Sequence, residues 1–274
     1  MMELVVNNIM MLLALAMTGF LSGILAGLLG VGGGIVIVPV LFFLFQAYGV
    51  SSASAITIAT ATSLAIIVPT SISSIRAHHA VGNVDFELLL RWAPFTFLGV
   101  LCGSWIVTEA DGTWLAALFG VIATLSALNM LRRPSGSPMS RRLPGRLGQS
   151  VLGAIVGLLS SMMGIGGGTL SVPLLTLYNY PMHKSVGTAA AFGLIISLPG
   201  AVMMLVLGVT PNDAPAGTFG LINLIAFLCV VPLTVIFAPV GVALATKLNA
   251  AKLKRIFDLV LLVTGLRMLI QGFP

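Results

Sequence analysis

Two glycine clusters hold the residues of this chain best suited to chemistry. Gly30-Val31-Gly32-Gly33-Gly34 is followed by Pro39-Val40-Leu41, and Gly164-Ile165-Gly166-Gly167-Gly168 by Pro173-Leu174-Leu175. Glycine permits tight turns and lets another backbone come close. A glycine break inside an apolar stretch leaves amides unpaired at the start of the helix that follows. Together with the positive end of that helix dipole, such amides form an anion site. The residues placed to line one are Gly32, Gly33 and Gly34, and Gly166, Gly167 and Gly168 with Thr169 beside them. The blander reading is that the glycines only let helices pack closely. Two copies, each with a proline five residues on, favour the ligand-lining role.

Hydroxyl side chains extend the set. Thr57 and Thr60 share a helix face at i,i+3, and Ser63 continues it. Thr188 stands at the corresponding level of the second half, and Ser161, with Ser160, precedes the second cluster. Such groups coordinate an oxyanion or bond back to helix carbonyls. Lys184 with His183 opens a helix, and Arg76 with His78 and His79 closes one. Both sets read as topology signals that also attract anions on their way in or out. Arg267 matches Asn129 in the repeat and is placed to meet an anion at the far side or to snorkel to the interface. Asp258 reads as an acid at the start of the last helix, paired with Lys254 or Arg255. No Asp or Glu is expected deep in an apolar segment, which speaks against a proton relay.

Catalytic patterns are missing from the sequence. There is no H-E-x-x-H and no pair of deep carboxylates, and Cys102 and Cys229 stand apart with no disulfide or metal-ligand spacing. A dinucleotide fingerprint requires a preceding strand and a later acidic residue, and neither cluster has them. The expectation is a protein that is not an enzyme and takes no cofactor or metal.

The elements that carry these residues follow from composition. The chain is 58% hydrophobic and 7% charged, with a mean hydropathy of +1.13. That excludes an ordinary soluble domain. The long apolar runs do not alternate, which excludes a β-barrel. Apolar segments fall near 7–29, 34–47, 53–75, 88–108 and 114–131, then near 147–163, 168–179, 184–208, 219–246 and 251–271. Segments 34–47 and 168–179 are too short to cross a bilayer comfortably. Each is expected to pair with the helix before it as a hairpin tipped by glycine. Later positions match as well: Pro69 with Pro199, Pro94 with Pro232, and 127–131 with 265–269. The expected fold is therefore an all-α polytopic membrane protein. It has two inverted repeats, 1–131 and 147–274, each a glycine-tipped hairpin plus three transmembrane helices.

Charge sets the expected orientation. The linker 132–146 contains five arginines and no acid, with Pro134, Pro138 and Pro144 marking a joint. It reads as cytoplasmic by the positive-inside rule. If each hairpin returns to its starting side, Arg76, Lys184, Lys247, Lys252, Lys254 and Arg255 also fall inside. Glu3, Glu109, Asp111 and Asp213 fall outside. Both termini are then extracytoplasmic, and the protein lies in the plasma membrane. The net charge of +6 sits mostly in loops and gives no case for nucleic acid. Its partners are the lipid bilayer and a small anion; a homo-oligomer stays open.

The doubled G-x-G-G-G…P pattern resembles the TauE/SafE family of sulfite and organosulfonate exporters. So does Pro181-Met182-His183-Lys184-Ser185-Val186-Gly187-Thr188, which is similar to that family's signature after the second hairpin. In the first half Ser51–Ile58 takes its place, without a lysine. The resemblance covers essentially the whole chain. It implies export or exchange of small sulfur-containing anions, such as sulfite or sulfoacetate, across a prokaryotic plasma membrane. The mechanism expected is alternating access at a midplane site between the two glycine tips. An anion channel using the same tips as a filter is the alternative.

Overall fold

A computed structural model describes residues 2–109, 112–132 and 143–272. Ten α-helices account for nearly all of it: α1 (Met2–Leu29), α2 (Gly34–Ala47), α3 (Ser52–Ala80), α4 (Phe86–Glu109), α5 (Leu115–Arg132), α6 (Arg146–Met162), α7 (Gly168–Leu177), α8 (Met182–Val206), α9 (Leu224–Lys247) and α10 (Ala250–Gly272). A 3-10 turn, Gly112–Trp114, precedes α5, and a two-stranded hairpin, β1 (Thr218–Phe219) with β2 (Ile222–Asn223), precedes α9. Five helices among the described residues are long and apolar enough to cross a membrane: Met10–Leu29, α3, α4, α8 and α9. The chain is an all-α, multi-pass membrane protein.

Local signals place the helix starts. Ser51 caps α3 by accepting from the Ser54 amide, Asp85 caps α4 by accepting from Leu88, and Asn223 caps α9 by accepting from Ala226. Two boundaries differ from expectation. Helix α3 continues past residue 75 to Ala80. Helix α9 starts at Leu224 instead of 219, because residues 218–223 pair as strands around Gly220. The side chain of Asn223 donates to Ala216 O and Thr218 Oγ1, which ties that hairpin to the helix start. The basic residues Arg133, Arg141 and Arg142 of the linker, Asp111, and the side chains of Glu3, Asn129 and Lys254 lie outside the described residues.

Four helix pairs carry the main packing. Helix α1 packs on α9, and α6 packs on α4; α3 packs on α8, and α5 on α10. The residues in contact give the directions. Gly19 meets Leu233 and Gly27 meets Val242, so α1 runs parallel to α9. Gly153 meets Trp92 and Gly103 meets Leu158, so α6 runs parallel to α4. By contrast Gly200 meets Leu64 and Gly193 meets Ser71, so α3 and α8 are antiparallel. Gly120 meets Leu269 and Gly265 meets Thr124, so α5 and α10 are antiparallel too.

The α1–α9 and α6–α4 seams use the same device. Gly19 and Gly23 lie against Val230, Leu233 and Thr234; Gly153 and Gly157 lie against Trp92, Phe95 and Thr96. Gly241 lies against Ile24, and Gly103 against Leu158. Small residues at four-residue spacing let backbones touch, which is how helices associate where no hydrophobic drive separates protein from lipid. One proline break is met by a hydroxyl from a neighbouring helix. Pro239 cannot donate to Val235 O, and Ser73 Oγ donates to it from α3 at 2.8 Å.

The two ends of the bundle differ in charge. His79, His183, Lys184 and Lys247 gather with Asp85, Glu87 and Arg91 at one end, whereas Glu109, Asp213 and Arg267 lie at the other. Asp258 lies two turns inside α10 and is 1% exposed. It does not open that helix as the sequence suggested, and it is a buried carboxylate in an apolar segment.

The seam makes a direct prediction. A Cβ at Gly23 would lie 2.9 Å from Thr234 Cα, so Gly23→Leu must push α1 from α9. Overpacking of this kind costs about 1–3 kcal/mol. The variant is expected to unfold at a lower temperature in detergent, while Gly145→Leu, where φ is −58° and the added Cβ meets nothing within 4 Å, does not destabilise through packing.

Candidate anion site at the paired glycine tips

Each glycine cluster ends one helix and starts the next. At the second, the Gly164 amide donates to Ser161 O and the Ile165 amide to Ser160 O. This is the Schellman arrangement, and its left-handed residue is Gly164 at φ +65°. At the first, Gly33 caps α2 in the left-handed conformation, at φ +83°. The tips are therefore not copies of one another in backbone: Gly167, the equivalent cap of α7, is right-handed at φ −54°. It is held to glycine by space, since a Cβ there would lie 2.6 Å from Phe192 Cβ.

The tips meet. A Cβ on Gly34 would lie 2.7 Å from Gly164 O, one on Gly166 would lie 2.6 Å from Val31 O, and one on Gly168 would lie 2.7 Å from Val31 Cα. The starts of α2 and α7 therefore face a common region, and every residue from Gly30 to Gly34 and from Gly164 to Thr169 is buried. Among the described residues, the amides of Val31, Gly32 and Gly33 and of Gly166, Gly167 and Gly168 have no hydrogen-bond acceptor. Orphan amides are usual at a helix start, and the burial of these away from water makes the two tips the candidate place for an acceptor. Two positive helix ends brought together repel, and that cost falls when an anion lies between them.

The hydroxyls divide into two groups. Thr60 and Thr169 are 1% and 0% exposed, and neither oxygen has a partner; the same holds for Ser160 and Ser171. Thr60 stands against the second tip, its Cα 2.6 Å from a Cβ built on Gly164. The others are engaged. Ser63 Oγ donates to Gly164 O at 2.7 Å and holds the second tip to α3. Ser161 donates to Leu158 O and lies against Gly103 in the α4–α6 seam, where Gly27 lies in the other seam. Thr188 Oγ1 accepts from the Asp85 amide at 3.0 Å. Thr57 bonds to Ala53 O and Ser54 O and lines a separate cavity of about 200 Å³ with Ala53, Ser54, Thr108, Gly112 and Pro211. The structure thus brings Gly32–Gly34, Gly166–Thr169, Thr60 and Ser63 together, and leaves Thr57, Thr188 and Ser161 at other posts.

None of the cations read from the sequence lies at the tips. Lys184 and Arg76 are exposed, and Arg76 lines an apolar groove between α3 and α9. Arg267 stacks over the Phe43 ring, 5.9 Å from its centre. His78, read as an exposed residue, is instead 1% exposed, with Nε2 2.9 Å from Gly27 O at the end of α1. Sequence reasoning missed Asp85 and Tyr180. The Tyr180 hydroxyl donates to Asp85, across the two halves. Burial pushes the Asp85 carboxyl up, but hydrogen bonds from the Leu88 amide and Tyr180, with the Lys184 ammonium nearby, hold it below the usual range. Burial, then Asp85, push the Tyr180 phenol up. An Asp directly before an apolar helix was the legible signal for a cap.

Comparison with known proteins gives the family. The profile described as "Sulfite exporter TauE/SafE" matches residues 15–268. The chain belongs to the TauE/SafE family. A relative from Haemophilus influenzae, named "Probable membrane transporter protein", is 30% identical over 93% of this chain and 97% of its own. Relatives with the same description from Methanocaldococcus jannaschii and Bacillus subtilis are 27% and 25% identical, over 96% and 94% of this chain and 97% of each of theirs. No solved structure gives a significant match. This TauE/SafE protein is a membrane transporter.

At the opposite end from Asp85, Asp213 accepts from Ser54 Oγ at 2.6 Å and from the Ser51 amide at 2.8 Å. The Ser54 hydroxyl first, and then Ser51, hold its carboxyl down to about 2, from an ordinary 3.8. A depressed carboxyl stabilises the fold above its ordinary value and loses that effect as pH falls towards the folded value. Asp213→Ala is therefore expected to melt below wild type at neutral pH. The gap should close between about pH 4 and pH 2, as thermal unfolding across that range would record.

Proposed function

We propose that this protein exports or exchanges small sulfur-containing oxyanions, such as sulfite or sulfonates like sulfoacetate, across the plasma membrane by alternating access. The observation that carries the reading is the pair of touching glycine tips, with three unpaired buried amides each. The unpaired hydroxyls of Thr60 and Thr169 add donors suited to the oxygens of a tetrahedral or pyramidal anion. Recognition by amides and helix ends needs no cationic side chain. With an inside-negative potential of 100 mV, an anion leaving gains about 2.3 kcal/mol per charge, so efflux needs no further coupling.

In this reading residues 1–131 and 147–274 are inverted repeats joined by the basic cytoplasmic linker, with both termini extracytoplasmic. The antiparallel pairing of equivalent helices, α3 with α8 and α5 with α10, supports an axis lying in the membrane plane. The gathering of His183, Lys184 and Lys247 at one end supports that end as cytoplasmic. The direct contact of the tips favours a carrier over a channel with the same tips as a filter, because nothing crosses there without the tips moving.

Counterflow of labelled sulfite, sulfoacetate, taurine and sulfate into proteoliposomes tests this. Saturable, exchange-stimulated uptake of sulfite or a sulfonate is expected. Thr60→Val or Thr169→Val should raise KM about tenfold or more, since a hydrogen bond to a charged group contributes ~1.5–3 kcal/mol. Gly33→Val and Gly167→Val should abolish uptake while the protein still inserts. Normal flux in both glycine variants would remove the site; no uptake of any labelled anion by the wild type would remove the sulfur-anion assignment.

A further inference from the structure

The halves are tied at both ends by matching contacts. At one end Asp213, in the loop after α8, holds Ser51 and Ser54 at the start of α3. At the other end Asp85, in the loop after α3, holds the start of α8: its amide donates to Thr188, and its carboxylate accepts from Tyr180. In the register set by Pro69 and Pro199, Ser54 corresponds to Lys184, whose ammonium acts on Asp85. The tie is thus repeated in place but differs in chemistry, hydroxyl at one end, phenol and ammonium at the other.

Each long helix carries one partner of each tie. Helix α3 has Ser51 and Ser54 at its start, and its end leads within five residues to Asp85. Helix α8 has Tyr180 and Thr188 at its start, and its end leads to Asp213. These two helices are antiparallel and packed along their length. At about 1.5 Å per residue, α3 spans roughly 40 Å and reaches from one end to the other, with Pro69 inside it. A tilt of α3 against α8 that parts one tie presses the other together. The Asp213 tie also stands at the rim of the cavity that Thr57 lines, since Ser54 and Pro211 form its wall.

We infer that Asp213 and Asp85 are the gate residues of the transport cycle, each closing one end of the passage and released only when its own end opens. Both ties are made in this structure. The inference rests on the alternating-access reading, but its test needs no substrate.

Thr57→Cys, placed in a Cys102→Ala, Cys229→Ala background, reports the opening of the Asp213 end. Purified full-length protein in detergent is labelled with a polar maleimide, so orientation in a membrane does not enter. Ser54→Ala and Asp213→Ala are expected to speed labelling several-fold. Tyr180→Phe and Asp85→Ala, which free the opposite end, are expected to slow it several-fold. Ser54→Ala and Tyr180→Phe each remove a single oxygen, so they report even where an aspartate variant does not fold. A merely structural loosening would speed labelling in all the variants. That result, unchanged rates, or any pattern other than opposite signs for the two ends overturns the inference. A failure of counterflow with opposite-signed labelling would instead remove only the substrate assignment.

Discussion

The structure turns on backbone amides that have neither water nor a carbonyl to pair with. In an apolar interior such a group is costly, so helices dominate and irregular backbone survives only where protein or a cavity surrounds it. Here two glycine tips break the helices, and both are buried against each other. Each tip turns a helix back on itself and leaves the start of another helix pointing at its counterpart. That meeting of like dipole ends is unfavourable unless something negative shares the space. It is the feature that the helices around it must hold in place.

They hold it by backbone contact. The α1–α9 and α4–α6 seams bring glycine against carbonyl and Cα atoms, so the hairpin of each half is fixed by the fourth helix of the other half. The same exchange places the start of α3 beside the loop after α8, and the start of α8 beside the loop after α3. Positions matched by the doubled motif differ in side chain. Ser160 and Thr169 have no hydroxyl equivalents at Ala26 and Ile35, and Lys184 takes the place of Ser54. A frame set by small residues tolerates that divergence, because the seams depend on the absence of side chains more than on their identity.

Much of this was legible in the chain. Apolar runs punctuated by glycine and proline gave the helices closely; the segment read as 34–47 is α2 itself. The doubled motif gave the family. Residues 133–142 of the linker fall outside the described residues, so the joint between halves stays an expectation from charge. The boundaries that differed did so for local reasons: a short hairpin around Gly220 delays α9, and His78 belongs inside α3 because its ring reaches Gly27 O. Asp258 was read as opening the last helix, yet it lies two turns inside α10 and is buried, because its spacing from Lys254 and Arg255 says nothing of how deeply α10 is covered.

Sequence by itself determined the class, the helical segments and the places where glycine must interrupt them, because hydropathy and backbone freedom are properties of single residues and short runs. Only the tertiary structure decided which of the hydroxyls stay unpaired and which are engaged. Thr60 and Thr57 lie three residues apart on one face, yet one stands against the second tip and the other lines a cavity near the start of the same helix. The physical reason is that a hydroxyl's role depends on which acceptor lies within about 3 Å: Thr57 and Ser161 bond within their own helices, Ser63 bonds across the fold to Gly164 O, and Thr60 meets none.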